Sequence, residues 1–289
     1  SRRKCPVDSL TVGHRGTVPV GVSTIWPCEV NGKILYQAGG SLMSGIIRCL
    51  QAEWLKSRHT PLLLIHVLFP VIGACVFAGY FRISGWGWMT AVTTFLEVVA
   101  IVFPLVISIV VGMTVELENE AGHFQSILGV VPSRMSVYIG KLAYLIILAA
   151  SATALCVFLF ALLYSSVPFS FYIRPLTMLI LSAIPLYLIS ILAGFTLGKS
   201  VVMGIGITGS LLSALLATGL GDCIWKFLPW GWGVRFIDYC VLRYVNEEQF
   251  YSGLYELQLG FMIMLVSSMV LFIVSLMWFH RWEGTKGYE

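Results

Sequence analysis

The sequence predicts an all-α, polytopic membrane protein with about six transmembrane helices and short helices outside the bilayer. Hydrophobic residues make up 58% of the chain, charged residues make up 11%, and the mean hydropathy is +0.88. An ordinary soluble domain is roughly half apolar and about a quarter charged. Apolar runs close to the roughly 20 residues that a helix needs to cross a bilayer recur along the chain. Together these observations exclude a soluble globular protein.

Residues 1–42 form a polar extension that differs from the rest of the chain. The extension is rich in Pro and Gly and contains no apolar run, so it lacks the central region of a secretory signal. Met43 follows it directly. We therefore expect the natural start at Met43, the extension to be non-native or poorly ordered, and residues 43–289 to form a six-span domain.

The segment 44–60 is predicted to be an interfacial helix that lies along the membrane surface. Ile47, Leu50 and Trp54 recur at helical spacing, while Arg48 and Lys56 are available to the polar side of the same helix. An apolar face opposite basic residues is typical of helices in the headgroup region.

Six apolar runs follow this helix and are the predicted spans. Pro70, Pro104 and Pro185 fall inside three of them, where a proline removes a backbone donor and usually kinks the helix. The predicted spans are residues 61–81, 91–114, 137–163, 175–197, 201–221 and 257–279.

The fifth predicted span carries small residues at every fourth position. Such a ridge lets another helix approach closely, either within this chain or from a second subunit. The ridge consists of Gly206, Ser210, Ala214 and Thr218.

Lys and Arg residues after Met43 are distributed unequally between the two sides of the membrane. Eight lie on the side of the interfacial helix and five on the other side. Because cytoplasmic loops carry the excess of basic residues, this bias predicts that both termini are cytoplasmic.

Two near-motifs for other functions fail when they are compared residue by residue, and a third motif is absent. The string AGFTLGKS at 193–200 has Ala193 where a phosphate-binding loop needs Gly. Glu247 and Glu248 are similar to the paired glutamates of intramembrane prenyl-type proteases, but Ser252 stands where those enzymes need Arg. No Gly-x-Ser-x-Gly sequence is present. We expect no catalysis by this chain alone.

The cysteines and the net charge also argue against other ligands. The seven cysteines include no CxxC pair and have no His at ligand spacing, so no metal site is predicted. The net charge is +4, but no basic cluster with interleaved aromatic residues points to nucleic acid. Cys223 and Cys240 share one predicted outside loop, where either a disulfide or two free thiols are compatible with the sequence.

The polar segment between spans two and three predicts a short cytoplasmic helix. Leu117, Phe124 and Leu128 fall on one helical face, whereas Glu116 and Glu120 fall on another. An apolar face in a segment that has no core of its own suits contact with a soluble partner.

This segment resembles the corresponding loop of type-2 ATP-binding-cassette (ABC) exporter permeases. In that family an acid, a Gly, an aromatic residue, a Leu, a Pro, a basic residue, a Tyr and a Lys recur. The matching residues are Glu120, Gly122, Phe124, Leu128, Pro132, Arg134, Tyr138 and Lys141. The length of 43–289 and the early sequence EWLK at 53–56 are most similar to lantibiotic immunity permeases of the MutG or LanG kind.

The resemblance implies a fold with short interfacial and coupling helices, in a complex of two related permease subunits and two cytoplasmic ATPases. This chain would bind no cofactor, since ATP and Mg²⁺ would be held by the ATPases. The expected activity is export of a lantibiotic-type peptide antibiotic from the lipid of the bacterial cytoplasmic membrane. The residues expected to couple to the ATPase are Trp54, Lys56, Glu116, Glu120, Gly122, Phe124, Leu128, Pro132 and Arg134.

Two other functions are compatible with the same sequence. One is a permease for another drug or for lipid. The other is a membrane-embedded assembly or regulatory subunit that does not transport.

The substrate path is predicted from the outward half of the protein. Glu97 lies several residues inside span two, where an ionisable group is costly and tends to face a cavity or a partner. The outside loop of about 222–256 contains Trp225, Trp230 and Trp232, which either meet a membrane-bound peptide or anchor the loop at the headgroups.

Overall fold

The computed structural model describes residues 28–30, 33–35, 42–58, 60–120 and 134–282. The chain divides into two units, Ser1–Ser41 and Leu42–Glu289. In the described part of the first unit, Cys28–Val30 (β1) pairs antiparallel with Lys33–Leu35 (β2). The second unit is helical.

The helices of the second unit include six that are long and apolar enough to cross a membrane, which confirms the predicted all-α membrane fold. These six are α2, α3, α4, α5, α6 and α9, among the described residues. The helices are α1 (Leu42–Ser57), α2 (Pro61–Ser84), α3 (Trp88–Glu120), α4 (Arg134–Leu163), α5 (Phe169–Leu197), α6 (Lys199–Leu216), α7 (Pro229–Val245), α8 (Glu247–Ser252) and α9 (Leu254–Arg281).

The helical unit has two ends, which we name by the short helices that lie there. The α1 side contains α1, the C-terminal end of α3 and the N-terminal end of α4. Arg134 of α4 donates to the carbonyl oxygen of Trp282 at 2.9 Å, so the end of α9 also lies on the α1 side. The α7 side contains the end of α6 and the start of α7, which Arg235 joins.

The packing places α3 and α5 at the centre of the unit. α3 packs against α5, α6 and α7, whereas α4 packs against α1, α2 and α5. Phe95 of α3 and Phe160 of α4 stack with their ring centroids 3.7 Å apart. By contrast, α2 and α9 expose many large apolar side chains, as expected of helices that face lipid.

Two residues of the predicted small-residue ridge, Gly206 and Ser210, pack within this chain against α3 near Pro104, whereas Ala214 is exposed and Thr218 lies beyond the end of α6. A Cβ added at Gly206 would lie 1.9 Å from Ser108 Oγ, so only glycine permits this approach. The hydroxyl of Ser210 accepts a hydrogen bond of 3.2 Å from the backbone N–H of Leu105. Neighbouring hydroxyl groups commonly satisfy backbone groups near a proline in a membrane helix.

The predicted span boundaries differ most from the structure at three places: the start of α5, which begins at Phe169 instead of 175, the end of α3 and the end of α6. α3 continues to Glu120 instead of ending near 114, because its last turns bury Val115 and Glu118 against other helices. α6 ends at Leu216 instead of 221, because the chain turns so tightly there that a Cβ at Gly221 would lie 2.4 Å from the Leu216 carbonyl oxygen.

Candidate functional site

Four charged side chains meet on the α1 side and form what we call the charge cluster, namely Glu53 and Lys56 of α1, Glu118 of α3 and Lys141 of α4. Lys141 Nζ lies 2.6 Å from Glu53 Oε2 and 2.8 Å from Glu118 Oε1. Lys56 Nζ lies 2.7 Å from the same Glu118 oxygen and 3.4 Å from Glu53 Oε1. The cluster therefore joins three helices through alternating charges.

Three of the four members are buried, and each therefore needs an oppositely charged partner. Glu118 is 2% exposed and Lys141 is 3% exposed, and Glu53 is also buried. A buried charge without a partner is strongly unfavourable, so each of these groups depends on the others. Lys56 is different, since its side chain is 45% exposed and reaches the cluster from its rim. Oε2 of Glu118 is buried and has no hydrogen-bond partner among the described residues, so the cluster retains one unused acceptor.

Close backbone packing brings α1 near enough to α4 for these contacts. A Cβ added at Gly140 would lie 2.6 Å from Cys49 Cβ, so the glycine allows the two helices to touch. One turn further along α4, the hydroxyl of Tyr144 forms a hydrogen bond with the hydroxyl of Ser57. Burial, followed by the charge of Glu53, raises the pKa of the Cys49 thiol. The α1–α4 contact is thus a packed interface and not a surface association.

Two members of the charge cluster flank, in sequence, the segment that was predicted to couple to an ATPase. Glu118 lies two residues before the end of α3, and Lys141 lies in the second turn of α4. The connecting residues 121–133, which include Gly122, Phe124, Leu128 and Pro132, are outside the described residues.

The other predicted coupling residues lie around the cluster. Glu116 forms a salt bridge with Lys199 at the start of α6. Glu120 is exposed at the end of α3, and Trp54 is exposed on the free face of α1. Together with the Arg134 bond to α9, these contacts tie the ends of α3, α4, α6 and α9 into one layer.

Sequence reasoning did not select three of the four cluster residues as site residues. Lys141 entered only as a position in the resemblance, and Glu53 only as part of the EWLK sequence. The available signal was the spacing of Glu53 and Lys56, which puts opposite charges on one helical face. Glu118 gave a second signal, because a carboxylate inside an apolar helix end needs a partner.

On the α7 side, Glu97 faces α7. The causes that raise the pKa of Asp238 are burial first, then a hydrogen bond with Glu97 and the charge of Glu97. The pKa of Asp238 is thereby raised to about 8. Arg235 Nη1 lies 3.9 Å from Asp238 Oδ2, and Arg235 Nη2 lies 2.6 Å from Asp222 Oδ1. Glu97 is thus paired with a second acid next to an arginine.

The three predicted tryptophans are mostly inside the protein. Trp225 is 2% exposed and Trp232 is 1% exposed, and both pack in a cluster with Phe236. The indole N–H of Trp232 donates to the carbonyl oxygen of Lys226 at 2.9 Å. Trp230 is partly buried against Gly209 of α6. These rings do not anchor a surface loop, because the predicted outside loop folds into α7 and packs against α3, α5 and α6.

An apolar cavity of about 200 Å³ lies among α2, α3, α4 and α5. Its walls are almost entirely aliphatic and aromatic, with His66, Thr153 and Tyr187 as the polar exceptions. His66 Nδ1 is 2.8 Å from the carbonyl oxygen of Leu62, so that nitrogen is occupied. A dry apolar cavity of about 150 Å³ is large enough for benzene. This cavity can therefore accept an apolar group of a ligand.

Comparison with known proteins assigns the chain to a family. The family described as "ABC-2 family transporter protein" matches residues 49–220, which is more than half of the chain. The match begins within α1 and ends after α6, so it includes all four residues of the charge cluster. A search found no curated protein and no solved structure that matches. The chain belongs to the ABC-2 family of transporter membrane proteins.

Proposed function

We propose that this chain is the permease subunit of an ABC exporter and that the charge cluster transmits movement from the ATPase to the spans. The observation that carries the proposal is that Lys141 and Glu118, on either side of residues 121–133, are both paired with α1. A force applied to that connection or to α1 acts on α3 and α4 together, because separating the helices would leave buried charges unpaired.

Family membership implies association with an ATPase component, and permeases of this family are not catalytic by themselves. We propose that two ATPase copies and a second, related permease complete the complex, with ATP and Mg²⁺ held by the ATPases. Trp54 supports a docking surface on the α1 side, since it is large, apolar and 51% exposed on a helix that carries charges. Glu120, at the end of α3, supplies a charge beside the same surface.

The protein is a multi-pass membrane protein, and we propose that its α1 side faces the bacterial cytoplasm. The excess of basic residues on that side supports this orientation. Thiol labelling in intact cells tests it, with cysteines introduced at the exposed positions Met135 and Ser252 in a cysteine-free background. An impermeant maleimide should label Ser252→Cys and spare Met135→Cys. The opposite pattern would refute the orientation.

As substrate we propose a lantibiotic-type peptide, exported from the membrane in immunity or resistance. The support is the resemblance of the EWLK sequence and the 120–141 pattern, together with the apolar cavity, which can accept an apolar group. Glu97 offers a carboxylate for a cationic peptide. A different drug or a lipid is the alternative substrate, and a subunit that does not transport is the alternative function.

The experiment that tests the coupling proposal is a comparison of matched charge insertions. Phe124→Asp should abolish recruitment of the ATPase or substrate-stimulated hydrolysis. Tyr251→Asp, an insertion of the same charge at an exposed position on the α7 side, should leave both unchanged. Equal pull-down and turnover for Phe124→Asp and wild type would refute the role of this segment.

The substrate is tested separately with the purified complex in lipid. Stimulation of ATP hydrolysis by a lantibiotic, with loss of resistance in cells that lack the chain, would support peptide export. Stimulation by lipid or by an unrelated drug alone would assign the alternative substrate. A chain that co-purifies with no ATPase would instead be a non-transporting subunit.

A further inference from the structure

A second cavity of about 200 Å³ lies on the α7 side, among α5, α7 and α9 and the α8 segment that connects α7 to α9. The match to the ABC-2 family ends at residue 220, so α7, α8 and α9 lie C-terminal to the matched residues. The cavity walls are mostly apolar and include Met178, Phe236 and Leu257. The walls also include two arginines, Arg174 of α5 and Arg243 of α7.

The two arginines give the cavity a net positive charge. None of the described residues that line it is Asp or Glu. In the described part of the chain, neither guanidinium forms a salt bridge, whereas Lys226 and Arg235 on the same side each pair with a carboxylate. The cavity therefore presents two cations whose charge is not balanced by an ion pair.

Both arginines line the same cavity and act on the same residue of its wall, Cys240. The guanidinium carbon of Arg243 lies 5.3 Å from the centroid of the Phe250 ring, and this cation–π contact fixes its position. Burial raises the pKa of the Cys240 thiol to about 11, and the charges of both Arg174 and Arg243 oppose that rise. The two positive groups thus act on one point in the cavity wall.

The shape and surroundings of the cavity select an anion that carries an apolar chain. Arginine matches phosphate through paired N–H donors and loses less hydration energy than lysine when it does so. A free phosphate would leave the apolar part of the cavity wall without a contact. Ile173, which lines the cavity, is 55% exposed on the outer surface of α5, so the cavity opens where a membrane helix meets lipid. The ligand supplied at that place is an amphiphile.

We propose that this cavity binds an anionic phospholipid, with its phosphate between Arg174 and Arg243 and the start of an acyl chain against Met178 and Leu257. The bound lipid joins α5, α7 and α9 on the α7 side. Binding does not depend on ATPase coupling or on the transported substrate, so it can fail or succeed independently of the proposed function.

The test is lipid binding to the full chain in neutral detergent, measured by native mass spectrometry. Phosphatidylglycerol should bind more tightly than phosphatidylcholine. Arg174→Gln and Arg243→Gln should each weaken phosphatidylglycerol binding roughly fivefold, and the double variant about thirtyfold, as expected for basic residues near an anionic lipid surface. Arg281→Gln, which removes an exposed arginine at the end of α9, is the matched control and should change binding less than twofold.

Two further measurements complete the test. One distinguishes a lipid phosphate from a free phosphate, and the other blocks the cavity without removing an arginine. Glycerol phosphate, which has the head but no acyl chains, should bind far more weakly than phosphatidylglycerol, and equal binding would overturn the lipid assignment. Thr177→Trp fills the cavity while both arginines remain, and it should lower phosphatidylglycerol binding at least tenfold. Unchanged binding in Thr177→Trp or in the double arginine variant would refute the proposal. An equal loss in Arg281→Gln would also refute it.

Discussion

Removal of the ammonium group of Lys141 is the most direct perturbation of the charge cluster. Lys141→Met keeps most of the side-chain volume but deletes the partner of both Glu53 and Glu118, at 2.6 and 2.8 Å. Because both carboxylates stay buried, the loss leaves uncompensated charge in the protein. Breaking a buried ion pair in this way costs about 3–5 kcal/mol. That cost corresponds to an unfolding constant that is larger by roughly 150-fold to 5,000-fold.

Lys56→Met is the matched control, since it deletes the same group from the same cluster. Lys56 is 45% exposed, so water already screens its contacts, and the expected loss is only about 0–1 kcal/mol. The free energy of unfolding is measured for both variants by titration with a denaturing detergent in mixed micelles. Lys141→Met combined with Glu118→Gln should recover part of the loss, because one buried negative charge is then removed.

Two outcomes would refute the assignment of the cluster as a buried, mutually dependent network. One is a Lys141→Met variant that loses no more stability than Lys56→Met. The other is a double variant with Glu118→Gln whose loss equals the sum of the two single losses, since that sum would show no coupling between the groups.

Two further predictions concern the α1–α4 interface and the acid pair on the α7 side. Gly140→Ala should destabilise the protein by about 1–3 kcal/mol, because the added Cβ would overlap Cys49. Gly79→Ala is the control and should be neutral or slightly stabilising, since nothing lies within 4 Å of its added Cβ. Both effects are measured by thermal unfolding. The folded-state pKa of about 8 for Asp238 lies above its ordinary value of 3.8, so the folded protein binds this proton more tightly than the unfolded chain does. Stability should therefore rise as the pH falls from about 8 toward 4, and Asp238→Asn should remove that dependence, whereas Asp222→Asn should keep it. A wild-type stability that is flat over this range would contradict the pairing of Asp238 with Glu97.

The spans were predictable because composition and length alone decide whether a helix can lie in a bilayer. The lack of charge and the recurrence of apolar runs constrain the backbone to helices, whatever their neighbours are. The helical structure of α1 was predictable for a similar reason, since Ile47, Leu50 and Trp54 follow the helical period. These features depend on residues that are close in sequence.

The charge cluster depends instead on residues that are far apart in sequence. Glu53 and Lys141 are separated by 88 positions, and their contact exists only because Gly140 lets α1 approach α4. No local pattern specifies that approach. The sequence could show that Glu118 needs a partner, but the identity of the partner follows from how three helices pack.

The α7 region shows why aromatic content alone is a weak indicator of position. Trp225 and Trp232 share their segment with charged residues, a mixture that is typical of the headgroup region. In the structure the charges are paired at the surface, as in the Lys226–Glu256 bridge of 2.7 Å, so the indoles can turn inward. Trp232 is buried without cost because its N–H finds a carbonyl oxygen.

Charged side chains are arranged differently at the two ends of the helical unit, and this difference bears on how a permease could move. On the α1 side, opposite charges alternate and are buried, so Glu53, Lys141 and Glu118 resist separation and hold α1, α3 and α4 as one body. On the α7 side, Asp238 faces the like group Glu97, and burial together with Glu97 raises the pKa of Asp238, so protonation of Asp238 reduces the repulsion between α3 and α7. α3 belongs to both ends, since it carries Glu118 at one and Glu97 at the other. The charge cluster and the acid pair are therefore connected through one continuous helix, which contains Pro104 between Glu97 and Glu118.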